Sequence, residues 1–566
     1  MLIIVGLIFV LQQTFRLSLR IFLWSKEQVA RFFGRRPLYD ALRLELSGTL
    51  PEESTPSLLS FWRTPSPDFL SVLALLRWAR EDPCLRAVVI TLSDLVAGWA
   101  RLQELRRALV ALRQAGKHVC LFLPEASTRE YYVASAADSI VLTPASHLAV
   151  TGLAAEAMFF KGALDKLGIR AQVSQAGQYK AAGEPFTREE MSDPHREMLD
   201  SLLDDLYGQI IEGIAETRQK DKEEVRRLID QGLFLAREAQ AAGLVDYVAY
   251  EDEVSHLLEE KLGALHFIEA GPYRHRRTIA LRQQLLRGHH KKIALISVHG
   301  PIKRGETVDG PEGPQAVGST SFIHDLRQVR EDQSVSAVVV RVSSPGGSGL
   351  ASDLMWRELQ VTRASKPVII SMGDVAASGG YYLALGGDRV FAEAGTVTGS
   401  IGVIAGKAVL RDLYTTLGIG KEILTRGNRA ALFSDYLEFA PAEQERVDFE
   451  IQSFYQDFVE KVAAGRSLTL EAAELSAQGR VWSGRQAWSR GLVDEIGGLE
   501  TALVEAKKRA GAAVDAPLVV ERFPKPPSWW RLPARLRLSP RSQTHAALWW
   551  TRERFWLIMP ISLRFF

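Results

Sequence analysis

The chain has 566 residues, 46% of them hydrophobic and 24% charged, with a formal net charge of +2. That length exceeds what one hydrophobic core supports, and the balanced charge leaves no electrostatic footprint for nucleic acid. The only cysteines, Cys84 and Cys120, exclude a disulfide framework and a cysteine-rich zinc site. Both fall in stretches that read as strands, and as buried small hydrophobes rather than a redox pair.

Met1 to Leu11 is almost wholly apolar, Gln12-Gln13-Thr14 interrupts, and a second apolar run to Trp24 carries Arg16 and Arg20. The first run is shorter than the roughly 20 residues that span a bilayer. A secretory signal would carry its basic residues ahead of the apolar run, not behind it. Residues 1–25 are expected to form a membrane anchor or an interfacial helix, with the arginines reaching the interface. Arg31, Arg35 and Arg36 follow, and the positive-inside rule would then keep the body in the cytoplasm.

From about residue 38 the chain repeats itself. Arg80-Glu81-Asp82 returns as Arg330-Glu331-Asp332, Ala87-Val88-Val89 as Ala337-Val338-Val339, Tyr131-Tyr132 as Tyr381-Tyr382, and Gly152 as Gly402, all at an offset of 250. Gly243-Leu244-Val245-Asp246 returns as Gly491-Leu492-Val493-Asp494, where the offset has slipped to 248. The chain therefore reads as two copies of one unit, 38–272 and 292–512, each of single-domain size. Within them, Ile293–Ile296 and Ala337–Val342 read as strands, and Phe322–Val329 and Asp353–Arg363 as helices. Such alternation predicts an α/β fold with parallel pairing. Residues 273–291, with Arg276-Arg277 and His289-His290, read as a polar helical linker. The tail, 513–566, opens on Pro524, Pro526 and Pro527 and mixes five tryptophans from Trp529 to Trp556 with arginines. That is the composition of a membrane-interface segment, or of a tail docked on the protein's own apolar rim.

Three stretches carry chemistry, and the repeat sorts them. Lys180 sits in Gly177-Gln178-Tyr179-Lys180-Ala181-Ala182-Gly183-Glu184-Pro185-Phe186, a small and apolar setting suited to a desolvated base. Its counterpart in the second copy is Ala430. Ser344-Pro345-Gly346-Gly347-Ser348 follows a strand, where a Pro-Gly-Gly turn can aim backbone N–H groups at one point; the first copy has Asp94-Leu95-Val96-Ala97-Gly98. Met372-Gly373-Asp374-Val375-Ala376-Ala377-Ser378-Gly379-Gly380-Tyr381-Tyr382 presents Ser378 at a strand-to-helix turn, where the first copy has Thr128-Arg129-Glu130. The losses are complementary: one copy keeps a base, the other a nucleophile and an oxyanion hole. After Ser378 the next histidine is His545, in the tail, so a Ser-His-Asp arrangement is poorly served. His299 and His324 read as structural, Glu184 as an ion-pair partner and Lys407 as a surface lysine. Ser400, in Thr398-Gly399-Ser400-Ile401-Gly402, either orients Lys180 or is a plain turn serine. No His or Cys spacing suggests a metal.

From about Tyr39 to Ala512 these residues resemble the signal peptide peptidase A family, protease IV, of peptidase family S49 in its long two-copy form. The resemblance is carried by Gln178-Tyr179-Lys180 with Glu184-Pro185-Phe186, by Ser344-Pro345-Gly346-Gly347, and by Gly373 to Tyr381. It implies Lys180 as general base, Ser378 as nucleophile, and the Gly347 and Gly379 N–H groups as oxyanion donors; Gly346 and Ser400 are candidates for support beside them. It implies tandem Clp protease/crotonase-like domains of spiral ββα repeats, no cofactor, and a membrane-anchored homotetramer. The substrates implied are signal peptide remnants and other hydrophobic peptides. The family's setting is the bacterial inner membrane with the catalytic body on the periplasmic side, opposite to what the arginines after the anchor favour. The alternatives are a crotonase-type acyl-CoA enzyme on the same fold and a non-catalytic membrane scaffold.

Overall fold

Two parallel sheets repeat one plan. The computed structural model describes residues 39–53, 68–285, 291–310, 313–513, 517–524 and 556–558; the expected anchor at 1–25 and most of the tail lie outside them. The first sheet has six strands in the order Phe267–Glu269, Ala41–Thr49, Ala87–Val96, His118–Leu123, Ser139–Leu142 and Tyr247–Val248, all parallel. The second runs Val481–Ser483, Val397–Gly399, Val368–Ala377, Val335–Ser344, Lys292–His299 and Val519–Phe523, with Arg389–Ala392 branching from Val368–Ala377. It is parallel except between Val397–Gly399 and Val481–Ser483. Runs such as Val338-Val339-Val340 are buried on both faces, as parallel strands between helices must be. The polar stretch after the first sheet contains the helix Ala270–Leu285.

Alternation along the strands joins the copies. Ile293, Leu295, Ala337, Val339 and Ile369 share one core with the first copy, while Ala294, Ile296, Val338, Val340 and Ile370 pack on the second copy's own helices. The repeat extends to the 26-residue helices Asp193–Arg218 and Pro441–Arg466, each ended by a left-handed residue, Gln219 or Ser467.

The copies differ where it matters for function. Arg170–Ala176 is a strand only in the first copy, and Val403–Val409 only in the second. These two pair antiparallel with each other, from Val403 opposite Ala176 to Val409 opposite Arg170. The ladder carries the chain after Ala176 into the second copy. Buried charges lock the same interface. Arg341, on a second-copy strand, donates to Glu52 Oε1 at 2.6 Å and to Glu104, and also to Ser371 Oγ and the Met372 carbonyl, both at 3.0 Å.

Two expectations need correcting. Cys84 lies in a turn between a helix and a strand and is half-buried; only Cys120 is on a strand and buried. Lys407 is not a free surface lysine: it donates to the Leu432 carbonyl at 2.8 Å and sits 4.0 Å from the Phe439 ring centroid.

Candidate active site

Ser378 stands between the strand Val368–Ala377 and the helix Gly379–Ala384, at φ 54° and ψ −114°. A non-glycine residue at positive φ is strained by about 1–3 kcal/mol, and it persists because its surroundings fix it. Its N–H donates to the Gly399 carbonyl at 2.8 Å, and its carbonyl accepts from Tyr382 N at 2.8 Å. The first copy relaxes this turn: Thr128 is already helical, and Ser127 caps the helix reciprocally with Glu130. Thr128-Arg129-Glu130 is thus an ordinary helix start, and the strained serine belongs to the second copy alone.

Lys180 arrives from the cross-copy ladder. Tyr179 N donates to the Gln478 carbonyl at 2.8 Å, which draws the first-copy segment onto a second-copy turn. Gly479, at φ 78°, permits the approach, since a Cβ there would stand 2.6 Å from both the backbone nitrogen and the Cβ of Lys180. The lysine Nζ then lies 2.8 Å from Ser378 Oγ, 3.0 Å from Ser400 Oγ and 3.0 Å from the Ser400 carbonyl oxygen, to which it donates. Lys180, Ser378 and Ser400 are all fully buried. Burial holds the lysine pKa well below its ordinary value, because the charged amine loses its hydration. A neutral amine has two N–H donors and one lone pair. The two Ser400 oxygens can take the donors, leaving the lone pair for the Ser378 hydroxyl proton.

The glycine turn sits alongside. Gly346 N donates to Ser344 Oγ at 3.1 Å, so that N–H is already committed. Gly347 has φ 155°, and any Cβ there would overlap the Ile302 carbonyl oxygen. Gly379 abuts it: the space a Cβ would take on Gly379 ends 3.2 Å from Gly347 N and against Ser352 Oγ. The structure therefore gathers Lys180, Ser378, Ser400, Gly346, Gly347 and Gly379 in one place. Glu184 stays apart, 2.9 Å from His195 Nδ1 and accepting from Ser192 Oγ at 2.5 Å.

Sequence reasoning missed Gly479, Ser352 and the Arg480 carbonyl, which accepts Ser400 N at 2.8 Å. Their roles come from tertiary contact, and a glycine after a helix is too common a signal to single out. Gly479→Ala is expected to keep the fold but push Lys180 out of line, cutting kcat far more than KM. Steady-state kinetics with a circular-dichroism control would check this.

A strained serine with a buried amine at hydrogen-bond distance is an arrangement found among serine hydrolases. The Peptidase family S49 model matches residues 111–265 and again 360–513. The chain belongs to peptidase family S49, and is a serine peptidase by family. It is 35% identical over 453 residues to a chloroplastic serine protease, SPPA, of Arabidopsis thaliana, covering 79% of this chain and 66% of that protein. It is 31% identical to Protease 4 of Haemophilus influenzae (77% of this chain, 72% of that one). It is 30% identical to Protease 4 of Salmonella typhi (86% and 79%). Among solved structures it is similar to a membrane-bound stomatin-specific protease, at TM-score 0.27 and 15% identity over 42% of this chain and 99% of that one.

Proposed function

We propose that the chain is an endopeptidase with a Ser-Lys dyad that cuts signal peptide remnants and other hydrophobic peptides at a membrane surface. The observation that carries this reading is the 2.8 Å approach of Lys180 Nζ to Ser378 Oγ in a fully buried setting. Neutral Lys180 takes the Ser378 proton as Oγ attacks the peptide carbonyl. The Gly347 and Gly379 N–H groups receive the oxyanion, and Gly346 and Ser400 hold the donors and the base in place. The lysine then passes its proton to the leaving amine nitrogen. Water attacks the acyl ester, gives a proton to Lys180, and the serine recovers its own as the acid departs.

A relative from Enterococcus faecium, 34% identical over 221 residues, is called a putative signal peptide peptidase. Leu350 and Leu354, on the helix after the glycine turn, are exposed, 51% and 43%. The apolar run at residues 1–25 and the Trp/Arg tail support a membrane location by composition. Among the described residues no helix is long and apolar enough to cross a membrane. A tetramer with its body outside the cytoplasm belongs to the same proposal.

A serine-directed phosphonate should label Ser378, as read by peptide mass mapping, and abolish cleavage of a hydrophobic peptide. Cleavage without label on Ser378 would overturn the reading; acyl-CoA turnover without labelling would favour a crotonase-type enzyme. Because the base must be neutral, kcat/KM should rise with pH as Lys180 loses its proton. The midpoint should lie well below the roughly 10.4 of an ordinary lysine, and a pH–rate profile would show it.

A further inference from the structure

Arg480 follows the Gln478-Gly479 turn and precedes the strand Val481–Ser483. Its carbonyl accepts Ser400 N at 2.8 Å, and Ser400 supplies the two oxygens that take the Lys180 amine. The side chain runs the other way, into the first copy. Its guanidinium donates to Glu197 Oε1 at 2.6 Å, from the helix Asp193–Arg218. It also lies over two rings, 4.7 Å from the Tyr179 centroid and 4.6 Å from that of Trp482. Tyr179 closes the circuit, because its hydroxyl donates to Glu197 Oε2 at 3.1 Å. Tyr179 is the residue directly before Lys180. One arginine therefore grips the neighbour of the base with its side chain and the partner of the base with its backbone. Charge-assisted and cation–ring contacts both fix direction as well as distance.

The repeat separates this grip from plain packing. In the first copy the matching backbone bond runs from Val150 N to the Gly232 carbonyl, also at 2.8 Å. Val150 stands 250 residues before Ser400, and Gly232 stands 248 before Arg480, the two offsets of the repeat. The turn thus forms with no side chain at this position. The arginine is found only in the copy that has Ser378 and Ser400, where the other has Thr128 and Val150.

We propose that Arg480 is a positioning residue for the dyad, clamping Tyr179 against Glu197 so that Lys180 Nζ stays dry and in line with Ser378 Oγ. The proposal rests on the peptidase reading of the site. The hydrogen-bond partners of Lys180 Nζ are the Ser378 hydroxyl and the two Ser400 oxygens, all uncharged. Its proton affinity therefore follows how completely it is kept from water. A loosened clamp lets water in and restores the affinity of an ordinary lysine.

Four variants of the full chain test this: Arg480→Met, Glu197→Ala, the two combined, and Arg480→Lys. Methionine fills much of the space but has neither the charge nor the planar fork. In Arg480→Met, kcat for a hydrophobic fluorogenic peptide should fall by about tenfold to a hundredfold, the scale of a small misplacement, with KM little changed. Phosphonate labelling of Ser378, followed against pH, should slow likewise. Its midpoint should move up towards the roughly 10.4 of an ordinary lysine. Glu197 is exposed, so Glu197→Ala should fold and move the midpoint the same way by less. The combined variant should be no slower than Arg480→Met, because both changes remove one shared contact. Arg480→Lys keeps the charge facing Glu197 without the flat stack on the rings, and should fall between wild type and Arg480→Met. A wild-type midpoint in both Arg480→Met and Glu197→Ala, with unchanged circular dichroism, would overturn the positioning role and leave the peptidase reading intact. Failure of the phosphonate to label Ser378 even in wild type would overturn the peptidase reading itself.

Discussion

Lys180→Met will fold and will lose hydrolysis by about 10⁴-fold or more in kcat, the scale of losing a member of a nucleophile–base pair. The thioether fills the lysine's volume but offers no basic lone pair at 2.8 Å from Ser378 Oγ. Phosphonate labelling of Ser378 should fall with it. Lys180→Arg should not rescue, because a guanidinium stays protonated and cannot take the serine proton. The stability of the two chains should also diverge with pH in a set direction. Burial depresses the lysine pKa in the folded state, so between that value and about 10.4 the unfolded chain holds a proton that the folded chain lacks. Wild type should therefore gain stability relative to Lys180→Met as pH rises through that window. Denaturant midpoints at stepped pH would measure this. Near-normal peptide hydrolysis by Lys180→Met, with Ser378 intact, would end the dyad assignment.

Arg341→Leu should cost about 3–5 kcal/mol, the penalty for breaking a buried ion pair from one side. Arg341 is fully buried, and it faces Glu52 and Glu104, both buried and both from the first copy. Without it, two carboxylates would meet with no cation between them. The Ser371 hydroxyl and Met372 carbonyl, on the strand that leads to Ser378, would each lose a donor. Because Lys180 and Ser378, the proposed base and nucleophile, come from different copies, loosening this contact should also lower kcat. Wild type carries a related pH signature. Burial pushes the Glu104 carboxyl up to about 7, so its neutral form favours the fold. That contribution is complete below about 4.3, the ordinary glutamate value, and is lost as pH rises through 7. The urea midpoint of wild type should thus fall between pH 5.5 and pH 8 on this account. An unchanged midpoint in Arg341→Leu would show that the locked interface lies elsewhere.

Much of this protein was legible as sequence because it depends on local rules. Doubly buried β-branched runs, such as Val338-Val339-Val340, announce parallel strands whatever the rest of the chain does. The repeat at an offset of 250 needed only counting, and it exposed the complementary losses at Thr128 and Ala430. Residue chemistry alone then marked Lys180, Ser378 and the Gly346-Gly347 turn. Local rules failed where a neighbour far along the chain intervened. Lys407 was misjudged because the Leu432 carbonyl and Phe439 ring that cover it belong to a later loop. Cys84 was misjudged because a turn lies between two confident elements, where boundaries are weakest.

The sequence by itself marked Lys180, Ser378 and the Gly346-Gly347 turn as the candidates for chemistry, and showed that the two copies divide them. Only the tertiary structure decided that Lys180 reaches Ser378 across 198 residues. That outcome depends on the pairing of Arg170–Ala176 with Val403–Val409, strands that each copy has alone. It depends equally on Gly479, which leaves room for the lysine backbone, and on the strained φ of Ser378. Propensity and pattern do not specify such features, because each is a contact between segments whose separate sequences are unremarkable. The tail strand is the plainest case: its apolar residues suggested a membrane surface, whereas the fold pairs Trp556–Ile558 with Gly346–Ser348.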